Sequence, residues 1–454
     1  MKFSDMKMNS LKRLALNTLL LICFGTAAIA QQQSSSTSFI VPDRCDVSLY
    51  QVNTRAFSVA GNLKSVTARL DSIKALGINI IYLMPLYPVG TVNSVNSPYC
   101  IRDYTSIAEE FGTMDDLKTL VNTAHQKQMG VLMDWVANHT AFDHTWTKNK
   151  SWYKQDSTGK IISPPGTGWN DVAQLNFDNP DMRREMIKSM KFWLDNVNID
   201  GFRCDYSDGP PFDFWKEAVA SLRAAAGSKK LLLLSEGTRA DHFKAGFDYN
   251  FGFHFFENLK KIYKDGKSVQ SIDSINAADL KGALPGQQYV RYTSNHDVNS
   301  SDGTSLSLFD GNKGELAAFV VVSYMQSIPM IYNGQEVGIP NRLTFPFTTD
   351  KIDWNINPAH TAAYKQIIKF RAGSEPIRRG QLKTYSNNDV CVFTKELGSK
   401  KVLVVANLRP KAISYQLKSP LKNTRWKDAF SGNTKALKTA VSLEPYQYMV
   451  LESQ

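Results

Sequence analysis

The chain has 454 residues, with 53 Lys+Arg against 42 Asp+Glu and 43% hydrophobic residues. That length suits roughly two to three domains, or one large domain with a small companion. The ordinary apolar fraction excludes a disordered or collagen-like chain, and the single long apolar run, at the N-terminus, excludes a multi-span membrane protein.

Residues 1–30 read as a secretory signal. Lys7, Lys12 and Arg13 give a basic start, Leu14 to Ala28 is apolar and short, and Ala28-Ile29-Ala30 is a small-x-small cleavage site. The run is too short to anchor comfortably in a bilayer, and Ile22 before Cys23 does not suit a lipoprotein signal. The expectation is a secreted or periplasmic protein with no membrane association after cleavage at Ala30. Cleavage removes four basic residues and one acidic, leaving a modest mature charge of +8. No dense Lys/Arg run exists, so a nucleic-acid partner is not expected. Four cysteines remain: Cys45, Cys100, Cys204 and Cys391. Export permits disulfides, the three full pairings stay open, and no C-x-x-C spacing points to zinc or redox chemistry.

A polar spacer over 31–44, opening with QQQSSSTS, leads into a repeating pattern over 45–380: a short apolar strand, then an amphipathic helix. Strand candidates are Val47 to Gln51, Ile78 to Met84, Gly130 to Val136, Ile199 to Asp205, Leu231 to Glu236, Phe247 to Phe253, Tyr289 to Asn295 and Ile328 to Asn333. Between them, Leu63, Val66, Leu70 and Ile73 share one helical face. Thr113 and Asp116 suggest an N-cap ahead of Leu117, Leu120, Val121 and Ala124, and Asn179-Pro180 opens a helix with Met182, Met186 and Met190 facing the core. Eight strands alternating with helices predict an α/β fold, a closed (β/α)8 TIM barrel. A doubly wound open sheet is the alternative, but it is usually shorter and no Gly-rich phosphate loop is present. The third strand is followed by a long inserted loop subdomain, 137–178, rich in Gly, Pro, Asp and Trp; loops this long are usually functional. Its Trp146, Trp152 and Trp169 either stack on a ligand or fill the loop's own core. Over 381–454 the period changes to two, as in Val390 to Phe393 and Lys401 to Ala406, which predicts a C-terminal all-β domain.

Active sites of such barrels lie at the C-terminal ends of the strands. There the sequence delivers Asp134, Asn138 and His139 at the end of strand 3, Arg203 and Asp205 at strand 4, Glu236 at strand 5, and His296 and Asp297 after strand 7. Converging charges at apolar strand ends carry a desolvation cost, so surface caps or ion pairs are a poor account of the whole set. Glycoside hydrolysis needs one ionised and one protonated carboxyl. Arg203 leaves the same strand face as Asp205 and favours its ionised form, while the run Leu231 to Leu234 suggests an apolar setting that raises Glu236 toward a general acid. Metal hydrolysis would want H-x-H or H-E-x-x-H, and neither occurs, so no metal ligands are assigned.

The segments DWVANH, GFRCD, the strand-5 Glu and NHD, in this order, resemble glycoside hydrolase family 13, the α-amylase family, over about residues 45–375. LMPLYPVG, SPYCIRDY, EFGTMDDL and MIYNGQE support the resemblance. It implies a retaining mechanism on α-linked glucose units, with Asp205 as nucleophile, Glu236 as acid and base, and Asp297 as transition-state stabiliser. It further implies Arg203 positioning Asp205, His139 and His296 bonding the sugar, Tyr99 stacking on it, and Asp134 in a structural role. Substrates would be α-1,4-glucans or maltooligosaccharides. No cofactor is required by the resemblance, and calcium is optional: family members bind it beside the strand-3 Asn, here Asn138. They often carry Lys-His where this chain has Asp208-Gly209, and many exo-acting α-glucosidases carry Asp where it has Cys100. An α-amylase-like hydrolase is the leading expectation. A glucanotransferase or trehalose-forming transglycosylase is the alternative on the same residues, and a non-catalytic glucan-binding protein is a third.

Overall fold

The computed structural model describes residues 39–453, so the expected signal sequence and the start of the spacer lie outside the described residues. Eight strands appear where the apolar runs predicted them: β1 (Leu49–Val52), β2 (Ile80–Leu83), β3 (Gly130–Val136), β4 (Gly201–Asp205), β5 (Leu232–Ser235), β6 (Tyr249–Phe251), β7 (Gln288–Arg291) and β8 (Ile328–Tyr332). Each pairs in parallel with its neighbours in sequence, and β1 pairs with β8 to close the barrel. Nearly every strand residue is buried, as expected for strands covered by side chains inside and helices outside. Strand β3 spans the predicted run, β1 is shifted toward Val52, and the other six strands are shorter than their apolar runs, whose ends continue as loops above and below the barrel.

The helices follow their local signals. Thr113 and Asp116 form a reciprocal capping box at Met114–Gln126, and the Asn179 side chain accepts from the Asp181 and Met182 amides at the start of Pro180–Val197. The latter helix buries Met182, Met186, Met190 and Trp193. At about 1.5–3 kcal/mol per fully buried large apolar side chain, that face alone fixes the helix on the sheet. The face Leu63, Val66, Leu70, Ile73 is buried as read, but two helices carry it, Leu63–Ala68 and Leu70–Ala75, broken at Arg69. Gly201 opens β4 at φ +145°, where a Cβ would stand 1.9 Å from the Leu232 carbonyl oxygen, so no other residue fits between β4 and β5.

The long segment after β3 is anchored by a small hairpin, His139–Ala141 against Val172–Gln174. Trp146 and Trp152 meet edge to face at 5.4 Å and pack on the core, whereas Trp169 is 37% exposed. Beyond the last barrel helices, a six-stranded antiparallel sheet begins at Gln381, accompanied by the pair Ile413–Gln416 and Ala440–Leu443. Alternation along its strands explains its placement. Val390, Val392, Leu403 and Val405 fill the domain's own core, while Cys391, Phe393, Val402 and Val404 join the barrel's core. The four cysteines of the described residues are all unpaired. Among the described residues no helix is long and apolar enough to cross a membrane.

Candidate active site

Register brings the strand-end residues together. Asp134 of β3 pairs laterally with Arg203 of β4, and Asp205 closes the same strand two residues on. Arg203 is fully buried and its guanidinium meets three carboxylates: Nη1 donates to Asp134 Oδ1 at 2.7 Å and to Asp205 Oδ1 at 3.0 Å, and Nη2 bonds Glu236 Oε1. Glu236, one residue past β5, also accepts from the Tyr206 amide at 2.9 Å. The apolar setting expected for Glu236 is therefore corrected: Leu232 to Leu234 point their side chains into the core, but the strand end turns the carboxyl onto a cation and a backbone N–H.

One positive charge serves three acids, and this decides the electrostatics. Burial and the adjacent Glu236 carboxyl push Asp205 well above the usual carboxylate range, with Arg203 opposing them. Arg203 favours the ionised form of Asp205, as read from the sequence, but burial and Glu236 outweigh it. Burial raises Asp134 to about 6 despite its bond to Arg203.

Tyr99, His296 and Asp134 form a chain beside this cluster. The Tyr99 hydroxyl donates to Asp134 Oδ2 at 3.0 Å and lies 2.7 Å from His296 Nε2; its ring stacks on that imidazole at 5.3 Å. The Gln51 amide nitrogen donates to Nδ1 at 2.8 Å, which assigns the ring proton to Nε2. Burial holds His296 neutral, down to about 3, and His139 likewise, down to about 4. A sugar hydroxyl that reaches His296 Nε2 must displace Tyr99. Asp297 follows in the first turn of a short helix capped by Asn295, with its side chain 63% exposed toward the mouth. Tyr99, His139, Asp205, Glu236, His296 and Asp297 all line one cavity of about 450 Å³. The predicted site residues thus converge, with Arg203 and Asp134 beneath them. Sequence reasoning passed over Gln51 and Tyr82, whose hydroxyl donates to Asp134 at 2.7 Å. Both obey the same strand-end rule but carry no charge to mark them.

The donors beside Asn138 do not fit calcium. The Gln174 amide nitrogen stands 3.1 Å from Asn138 O, 3.2 Å from Asn138 Oδ1 and 3.1 Å from Leu175 O, so an N–H donor fills the place where those oxygens converge. Asp208 is committed elsewhere: its carboxylate accepts from His242, Thr238 and the Arg239 amide, which hold it well below the usual range against its burial.

Comparison with known proteins agrees with the barrel and the appended sheet. Residues 32–160 and 167–381 match the family described as alpha amylase, catalytic domain, and residues 382–450 match the maltogenic amylase C-terminal domain. The chain is 24% identical to alpha-amylase 3 of Dictyoglomus thermophilum, over 89% of this chain and 92% of that one. It is 27% identical to probable oligo-1,6-glucosidase 2 of Bacillus subtilis, over 67% and 66%. Its fold superposes on a maltogenic alpha-amylase of Thermotoga neapolitana with a TM-score of 0.80 at 22% identity, covering 90% of this chain and 99% of that one. The chain belongs to glycoside hydrolase family 13, the alpha-amylase family of α-glucan hydrolases.

Proposed function

We propose that this chain is a retaining hydrolase of α-1,4-linked glucans or maltooligosaccharides that works through a covalent glycosyl-enzyme. The carrying observation is the contact of Asp205 and Glu236 with the two Nη atoms of one guanidinium. Carboxyls shared by a single Arg sit close together, which suits the ~5–5.5 Å spacing of a nucleophile and acid rather than the ~6.5–9.5 Å that an inverting enzyme needs for its water. In this reading Asp205 attacks the anomeric carbon while Glu236 gives its proton to the leaving oxygen. Glu236 then takes a proton from the water that releases the sugar. Asp297, His139 and Tyr99 hold hydroxyls of the reacting sugar. The relatives' names, amylase and oligoglucosidase, support α-glucans as the substrate class.

Incubation of purified protein with maltoheptaose, followed by chromatography and anomer-resolved NMR, tests the proposal. The expected result is shorter maltooligosaccharides released first as the α-anomer, with turnover in Asp205→Asn reduced by at least about 10³-fold. Release of the β-anomer would exclude the retaining pathway. Products longer than the substrate would move the reading toward a transglycosylase. We also infer export, on the leader-like residues 1–30; a mature N-terminus at Gln31 on protein recovered outside the cytoplasm is the expected outcome.

A further inference from the structure

The ladder between β4 and β5 ends at Cys204 and Ser235, one residue short of Asp205 and Glu236. Two backbone bonds carry the join past the acids. The Glu236 amide donates to the Cys204 carbonyl at 2.9 Å, and the Ser207 amide to the Glu236 carbonyl at 2.8 Å. Beyond them the two strand-end loops are joined through side chains, with Asp208 at the centre.

The Asp208 carboxylate accepts four hydrogen bonds, all from the segment 238–242 that follows Glu236. Oδ2 takes the Thr238 amide at 2.9 Å and the Thr238 hydroxyl at 2.8 Å. Oδ1 takes the Arg239 amide at 3.2 Å and lies 2.8 Å from His242 Nε2. An ionised carboxyl only accepts, so Nε2 carries the proton of that ring, and about four lone-pair sites leave Asp208 saturated. In return Arg239 Nη1 donates to the Asp208 and Pro210 carbonyls, at 3.1 Å each. Gly237, beside Glu236, makes room for the pair: a Cβ there would stand 2.5 Å from His242 Nε2 and 2.6 Å from Asp208 Oδ1. His242 is fully buried, and Asp208 stands outside the lining of the catalytic cavity.

We propose that Asp208 is a positioning residue: it fixes the loop that presents Glu236 and so sets the distance between Glu236 and Asp205. This rests on the hydrolase reading above. Asp205 belongs to β4 and pairs with Val136 of β3, so the sheet itself holds it. Glu236 lies past the end of β5 and depends on what holds the segment after it. A retaining pair works at ~5–5.5 Å, and a displacement of about 1 Å can cost ~10²-fold. Asp208 acts only through Glu236, so its loss weakens proton delivery to the leaving oxygen and spares the attack by Asp205.

Two substrates separate those steps. Maltopentaose needs a proton on its leaving oxygen, whereas α-maltosyl fluoride loses fluoride as the anion. On both, kcat/KM reports formation of the glycosyl-enzyme. We expect Asp208→Asn to lower kcat/KM on maltopentaose about 10–100-fold and to keep that on the fluoride within about threefold of the parent. Whichever way the new amide turns, its NH2 group faces two donors. Thr238→Val removes one donor of the four and should lower the ratio of the two kcat/KM values about threefold, while Thr238→Ser should match the parent. Thermal melts accompany each variant, and if Asp208→Asn does not fold, the Thr238 pair decides by the same ratio. A lowered melting temperature with an unchanged ratio assigns Asp208 to stability alone and overturns the inference, as does an equal fall on both substrates. A parent inert toward both substrates overturns the hydrolase reading and this inference with it.

Discussion

Arg203 carries one charge among Asp134, Asp205 and Glu236, and the imbalance is useful chemistry bought with stability. Burial and Glu236 raise Asp205 in the folded state. A carboxyl whose folded value is raised stabilises the fold below its unfolded value, near 3.9, and that contribution is lost as pH rises through the folded value. The parent should therefore lose stability on going from about pH 4 to pH 7, and Asp205→Asn should lose less. We expect the variant to melt about 1–3 °C above the parent at pH 7, with the gap closing toward pH 4, in calorimetric scans across pH. A gap independent of pH would show that the crowding of carboxyls is not its cause. At this scale the sequence was legible wherever charge marked a residue. Asp205, Glu236, Asp297, Arg203, His139 and His296 announce themselves, because charged or titratable groups at apolar strand ends need a reason. Gln51 and Tyr82 do not, since neutral side chains there are ordinary. The balance at Asp205 was only half legible for a related reason: Arg203 lies two residues away in sequence, but the Glu236 that opposes it arrives from another strand.

The inserted segment after β3 depends on how Asn138 meets Gln174. The Gln174 amide satisfies two oxygens of Asn138 and also bonds Leu175 O, so the hairpin that ties the loop to the barrel needs no cation in that place. Chelator should leave the parent's melting temperature unchanged. Gln174→Ala leaves buried acceptors unsatisfied at about 1–3 kcal/mol, and should speed proteolytic nicking within 142–171. Limited proteolysis with and without EDTA, on both proteins, checks each part; a chelator effect on the parent would contradict the donor assignment. Element boundaries were legible where backbone chemistry is local, as at Thr113, Asn179 and the runs that became β1–β8. The fate of the loop tryptophans was not, because Trp146, Trp152 and Trp169 have the same spacing chemistry and differ only in what tertiary packing sets beside them.

The C-terminal sheet is apolar on both faces, and this binds it to the barrel as one molecule. Phe393 and Val404 lie in the barrel's core, and Arg409 reaches across to the Ile262 and Lys267 carbonyls at 2.6 and 2.7 Å. Phe393→Ala should cost about 3–5 kcal/mol, although it lies in the other sheet from the catalytic residues. It should also lower the melting of the barrel, followed by catalytic-site ligand protection, together with that of the sheet. Separate transitions would show that the two parts are independent. Period-two patterning disclosed the all-β character of this region, but not that its second face is an internal contact, since an apolar face reads the same whichever surface covers it. Closure of the barrel has a temporal consequence. The edge of β1 is satisfied only by β8, about 280 residues later, and at about 5–20 residues per second the ribosome takes roughly 15–55 s to supply it. For that interval the nascent sheet presents an open edge to other chains, a template for misassembly. Yield of folded protein should thus be governed by how slowly neighbours meet during synthesis, so that cooler growth or a co-produced holdase matters more than any solution additive applied afterwards.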